Sequence, residues 1–407
     1  MVVAGNRDMA QTNQEPRNGE PWSIDQVRSQ FPALDNKTYF NYGGQGPLPQ
    51  GSLEAMVQAW QTMQQLGPFS SAVGDWVDAQ LAATRQAIAQ ELQVSPETIA
   101  LTENVTAGCN IALWGLPWRS GDRLLMSDSE HPGVVAAAQA IAQRWGVTID
   151  QFPLRDRVPE QPIVEAILAH LHPQTRLVLV SHALWNTGEI LDVQAIAQAC
   201  RHQQPSVQIL VDAAQSVGLL PLNLSELEID FYAFTGHKWC CGPDGLGGLY
   251  VNPRSSLEPT FVGWRGITAD RQGNPTGHKT TGQRFEVATS AYALGLGLQS
   301  ALDLHRRWGT PQQRYDRIVQ LAGRLWQHLQ TIPQVECWLP YPPPTGLVSF
   351  KVSGSHNARS LVATLEKQKY LLRTLPNPDC ARACVHYFTQ EAEVDQLAEL
   401  IRSLVAA

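Results

Sequence analysis

A lysine set between a histidine and a tryptophan, in FTGHKWCCGPDGLGGLY (234–250), is where the side chains first suggest covalent chemistry. Lys238 follows Asp212 by 26 residues; Asp212 ends the apolar run in ILVDAAQS, and Gln215 comes three residues after it. DFYAFTGHK closes a second apolar run at Thr235, with His237 and Lys238 in the turn beyond. Further upstream, ALTENVTAGCNIALW sets Thr102 and Thr106 before an apolar helical run, and exposed amides at such a helix start suit a phosphate. Each feature alone has an ordinary reading as a turn acid, a solvated lysine or an N-cap. Together, in this order, they make a pyridoxal 5'-phosphate site. Lys238 would hold the cofactor aldehyde as a Schiff base and shuttle the substrate α-proton. Asp212 beside the pyridine nitrogen would keep it protonated, since a charge pair about 4 Å apart at an effective dielectric near 20 is worth roughly 4 kcal/mol.

The elements that must carry these residues are legible as alternation. DRLLMS (122–127), VTIDQFP (147–153), RLVLVSHA (176–183), VQILVDAA (207–214), DFYAFTG (230–236) and GGLYVNP (247–253) read as short strands, with helical stretches such as VVAAAQAIAQRW and VQAIAQACRHQ between several of them. Strand–helix–strand alternation implies an α/β fold with a mainly parallel sheet, whose ligands bind beyond the carboxyl ends of the strands. The texture changes near residue 300. A long amphipathic pattern leads to YPPPTG, and strands near 346–352 and 383–388 bracket the helix ARSLVATLEKQK before a last helix. The expected division is an extension over 1–21, a segment 22–40 completing a small α+β domain over 300–407, and a large cofactor-binding domain over 41–299. The polar, Pro/Gly-rich extension reads as disordered.

Composition narrows the class. The 407 residues carry 30 basic and 37 acidic side chains, a net charge of −7 spread without long runs, which argues against nucleic-acid or anionic-membrane partners. No apolar run approaches a membrane span, and the N-terminus lacks the apolar core of a secretory signal. Seven cysteines, at 109, 200, 240, 241, 337, 380 and 384, look like isolated thiols, which points to the cytoplasm. No CxxC pair exists, so no structural metal is expected.

From YFNYGGQGPLP (39–49) to ARACVHYFTQEAEVDQL (381–397), the chain resembles class V aminotransferase-fold enzymes of the cysteine desulfurase-like branch. The resemblance implies an aspartate-aminotransferase-type fold and a homodimer with active sites at the subunit interface. It assigns Lys238 as the Schiff-base lysine and Asp212 as the pyridinium partner, with Gln215 on the ring hydroxyl. His131, in SDSEHPG, would stack on the cofactor ring and help proton transfer. Thr106 with the amide of Ala107, together with Thr235 and His237, would bind the phosphate, and Thr289 would reach it from the partner subunit. Relatives place an asparagine where SHALWNTGE has Trp185; Asn186 comes one later, so that contact stays unassigned.

The reaction depends on two further parts. A bidentate arginine is the usual anchor for an amino-acid carboxylate. Arg382 stands where the family keeps that arginine, just before the expected strand, and Arg373 lies at the end of the preceding one. Gly44, in YGGQG, would close the other side, while Trp264 and Arg265 in VGWRG would line the entrance. A cysteine desulfurase also needs a nucleophilic cysteine on a mobile loop between the RT segment and the last strand. Here that connection is short; Cys380 reads as a strand-entry residue and Cys384 as a residue within the strand. The reading is therefore β-elimination by a cystine/cysteine C–S lyase, giving pyruvate, ammonia and a persulfide or sulfide, with a sulfur-acceptor protein as a possible partner. Such enzymes of the branch make cysteine persulfide that can feed iron–sulfur cluster assembly. The alternatives are a desulfurase using Cys380, giving alanine and an enzyme persulfide, and a non-catalytic binding protein on the same fold.

Overall fold

All six strands expected in the middle of the chain form, and a seventh, Ile99–Thr102, joins them in one sheet. In the computed structural model, which describes residues 21–155, 162–354 and 356–406, the strands are β1 Ile99–Thr102, β2 Arg123–Ser127, β3 Thr148–Phe152, β4 Thr175–Ser181, β5 Gln208–Asp212, β6 Phe231–Thr235 and β7 Gly247–Val251. Their order is β1–β7–β6–β5–β4–β2–β3. Strands β2 to β6 run parallel, while β7 is antiparallel to both β1 and β6. Residues 1–20 of the expected extension lie outside the described residues.

The near-continuous apolar runs follow from burial on both sheet faces. Leu125, Val178, Val180, Ile209 and Val211 point into one core, whereas Leu124, Met126, Leu177, Leu179 and Leu210 point into the other. This is the period-two alternation of a strand. Because β4, β5 and β6 are parallel, their carboxyl ends come out at one edge. Asp212, last residue of β5, pairs with Ser181 on one side and Ala233 on the other, and Thr235 ends β6.

A second, antiparallel sheet contains β8 Val335–Cys337, β9 Leu347–Val352, β10 Arg373–Pro376 and β11 Asp379–Cys384, in the order β8–β9–β11–β10. The last strand therefore differs from the expectation of 383–388. Pro376 pairs with Asp379, so Asn377 and Pro378 alone connect β10 to β11, and this tight hairpin starts the strand early. It ends at Cys384 because the next amide, of Val385, turns to the Gly346 carbonyl. Arg382 and Cys380 are consequently mid-strand residues, and Arg373 opens β10 where the end of a strand was expected.

The segment before the large sheet is tied to the C-terminal part. Thr38–Tyr39 pairs in parallel with Tyr370–Leu371, the Phe31 and Phe388 rings stack 4.5 Å apart, and Arg28 forks onto Glu393 at 2.7 and 2.9 Å. The helix Ala293–Trp308 runs through the expected boundary at 299/300 without a break.

Candidate active site

Lys238 sits in the turn leaving β6, half-buried and within charge range of Asp212 at the carboxyl end of β5. Burial lowers its amine to about 8; the Asp212 charge opposes that, while Arg382 and Arg373 reinforce it. Asp212 is buried and accepts the Ala214 amide at 2.9 Å. Its carboxyl is raised by burial, against the pull of Ala214 and of the charges on Lys238 and His131. Lys238 and His131 thus both feel the charges of Asp212, Arg373 and Arg382.

Gln215 is buried with its amide largely committed. It donates to the Gly43 carbonyl at 2.8 Å and accepts the Trp239 indole N–H at 2.8 Å, leaving one N–H for a ligand. Thr235 Oγ1 and His237 Nδ1 are 2.6 Å apart at the other end of the turn. Burial and the neighbouring Lys238 push His237 below its usual range. The helix Val105–Gly115 is capped by Asn104 and not by either threonine; Asn104 Oδ1 takes the Ala107 amide at 3.0 Å. Thr102 ends β1 and Thr106 lies in the first helical turn. With Ala107 engaged, the Val105 and Thr106 amides are the first-turn donors without an intrahelical partner.

His131 caps the helix Pro132–Trp145 through Nδ1, 3.2 Å from the Gly133 amide, and its ring stays open to solvent. The Trp185 indole meets it edge-on at 5.4 Å, donates to the Ser129 carbonyl at 3.2 Å, and the Trp185 carbonyl accepts Arg382 Nη1. Trp185 therefore occupies the ground between His131 and Arg382, a role that sequence left unassigned. Asn186 turns away, its side chain accepting the Thr187 amide and its carbonyl accepting Ser349 Oγ at 2.5 Å.

Arg382 is buried, with Nε lacking any partner, beside Gly43. Arg373 is its cross-strand partner and is exposed. Asn41, at the base of the YGGQG loop, leaves Oδ1 buried and unpaired next to Gly44. Trp264 is 58 % exposed, its ring 5.2 Å from the Arg265 guanidinium. Thr289 lines a cleft of about 1050 Å³ together with Thr106 and Ala107. All seven cysteines are free and buried. Burial raises the Cys380 thiol to about 11.

These donors fit pyridoxal phosphate: a half-buried amine of lowered basicity, a buried carboxylate beside it, first-turn amides with adjacent hydroxyls, and an orphaned guanidinium nitrogen. Buried polar groups without partners are rare in folded chains, and two of them, Arg382 Nε and Asn41 Oδ1, lie against the adjacent Gly43 and Gly44.

Comparison with known proteins agrees. A structure of the cystine C–S lyase C-DES with its reaction product cysteine persulfide is 48% identical to this chain, covering 92% of it and 99% of that protein, with a TM-score of 0.89. A C-DES variant with glycine covalently linked to its pyridoxal phosphate cofactor gives 0.90 at the same identity, covering 92% and 98%. Isopenicillin N epimerase of Streptomyces clavuligerus is 28% identical, covering 89% of this chain and 94% of its own length. A probable cysteine desulfurase of Xylella fastidiosa is 26% identical, covering 94% and 92%. The aminotransferase class-V family model matches residues 38–398, and with that span the chain belongs to the class V aminotransferase family.

Proposed function

We propose that this protein is a pyridoxal phosphate-dependent C–S lyase that cleaves L-cystine or L-cysteine by β-elimination. The observation that carries the reading is the β10–β11 connection, two residues long where a desulfurase needs a mobile thiol-bearing loop, together with the burial of every cysteine. Cys380 and Cys384 are locked in a paired strand, with nothing to swing toward a substrate sulfur. The 48% identity to a cystine C–S lyase supports the same choice.

When bound, pyridoxal phosphate supplies a sink for the electron pair released at Cα. Lys238 Nζ, neutral once its proton is lost near pH 8, takes the α-proton. Asp212 would hold negative charge for the pyridine nitrogen and so keep it protonated. Arg382 and Arg373 bind the substrate carboxylate, and Trp185 shapes the floor between Arg382 and His131. The β C–S bond breaks with its pair on sulfur, and the α C–H pair becomes the Cα–Cβ double bond. With one water, cystine then yields pyruvate, ammonia and cysteine persulfide. The persulfide is the better leaving group, because its conjugate acid is stronger than that of sulfide.

The enzyme works as a homodimer, with Thr289 and Trp264 completing the partner's site and Gly44 flanking the substrate. Residues 22–40 with 300–407 form a small domain beside the large one over 41–299. No described helix is long and apolar enough to cross a membrane, and with free thiols throughout we place the protein in the cytoplasm. A sulfur-acceptor protein takes the persulfide.

Product analysis tests the reaction. Incubation with L-cystine should release pyruvate in step with cysteine persulfide. Alanine together with a persulfide on Cys380 would establish a desulfurase, and no turnover despite bound cofactor would establish a binding protein.

A further inference from the structure

Behind Lys238 lies a buried imidazole pair. His386 Nε2 is 3.0 Å from the Trp239 carbonyl, and His305 Nε2 is 2.9 Å from the Cys240 carbonyl. A carbonyl accepts only, so both rings carry their proton on Nε2. His305 Nδ1 then accepts the Tyr387 hydroxyl at 2.9 Å, while His386 Nδ1 is buried without a partner. Both rings are fully enclosed and stack on each other at 5.5 Å. Burial keeps them neutral, with the Arg314 guanidinium acting the same way on both and Arg306 on His305; His386 falls to about 3.

The carbonyls they hold belong to an unusual turn. Cys241 has φ +50, in the left-handed region that a side-chain-bearing residue disfavours. The Gly46 amide holds the His237 carbonyl at 2.7 Å, and Gly218 packs so closely that a Cβ there would meet Cys240 N at 2.7 Å. The lysine turn is therefore gripped at successive peptide units. His386 also lies four residues after Arg382 on one continuous stretch.

We propose that His386, backed by His305, is a positioning residue for Lys238, coupling the arginine that anchors the substrate carboxylate to the lysine that moves its proton. This rests on the lyase reading for the roles of Lys238 and Arg382, whereas the hydrogen bonds to the turn do not depend on it.

The same cluster, Cys241 with His305 and His386, has ligand-capable atoms within 4.8 Å of one another, as a metal would require. Both Nε2 positions already serve carbonyls, and the Cys241 thiol is pushed well up by burial, so positioning is the role the geometry favours.

Two measurements test this. In the cofactor-free protein labelled with [15N]histidine, both imidazoles should appear as neutral Nε2–H tautomers, unchanged between about pH 5 and 9. An Nδ1–H tautomer, protonation in that range, or stoichiometric zinc in the purified protein would overturn the proposal. In the holoenzyme, His386→Phe keeps a ring but leaves the Trp239 carbonyl orphaned; kcat should fall roughly tenfold or more while KM stays within about twofold. His386→Gln, which returns an N–H near the same place, should restore most of the loss. A kcat for His386→Phe within about twofold of the parent, or a loss matched by the remote core variant Leu325→Ala, would also overturn it. The tautomer result stands whatever product the parent forms, so failure of the lyase reading is distinguishable.

Discussion

A lysine amine serves as a base only when neutral, and enclosure at the sheet edge provides that state for Lys238. Its amine, lowered to about 8, leaves the folded protein with fewer bound protons than the unfolded chain between about pH 8 and 10.5. Stability from this group is therefore lost below pH 8 and recovered as pH rises through that window. Relative to the parent, cofactor-free Lys238→Met should be more stable below pH 8 by an amount on the order of 3 kcal/mol, with the gain shrinking toward pH 10.5. Denaturant melts at several pH values measure it. Arg382 lends itself to a kinetic prediction, because its buried Nε has no other partner. Arg382→Lys keeps the charge but loses the fork, so KM for L-cystine should rise about 10–100-fold, read from initial rates. The strand-end positions of Asp212 and Thr235, and the turn carrying Lys238, were legible in sequence because such signals are local. Trp185, His305 and His386 were not: their partners lie 56, 65 and 147 residues away, and only the fold brings them together.

At the scale of elements, the middle of the chain was transparent, since a strand buried on both faces writes itself as an unbroken apolar run. β1 was missed because IALT is only four residues long and lies at the sheet edge. The shift of the last strand had a different cause. The aromatic run after Cys384 looks like a strand by propensity, yet it leaves the ladder: His386 stacks on Trp239 of the lysine turn, Tyr387 on Trp308 and Phe388 on Phe31. The Asn104 cap was overlooked because two nearby threonines also suit a helix start, although asparagine caps better. Gly218, with φ +86, is the element-level weak point on the far side of that turn. Gly218→Ala should cost more than about 2 kcal/mol in a thermal melt and weaken cofactor retention in dialysis, since backbone and Cβ would collide.

For the whole molecule, the outstanding feature is a run of exposed apolar side chains outside the cluster. Phe261, 73 % exposed, lines the cleft that Thr289 shares with Thr106, and Trp264, three residues on, is 58 % exposed. Patches of this kind mark association surfaces. Light scattering should give about twice the 44.8 kDa chain mass, and Phe261→Glu should lower the mass and abolish lyase activity together. An active monomer would refute the shared-site reading. Sequence could suggest this assembly only by resemblance, because what covers a surface in a dimer leaves no periodic trace in one chain. The pairing of Thr38–Tyr39 with Tyr370–Leu371 has a consequence for biosynthesis. The central sheet can assemble while translation is under way, but the first folded residues must wait for a partner made more than three hundred residues later. Until then the YGGQG loop is held by Gln215 and the His237 carbonyl, but Arg382 is not yet in place beside Gly43, so the substrate-carboxylate side of the site is expected to be completed last.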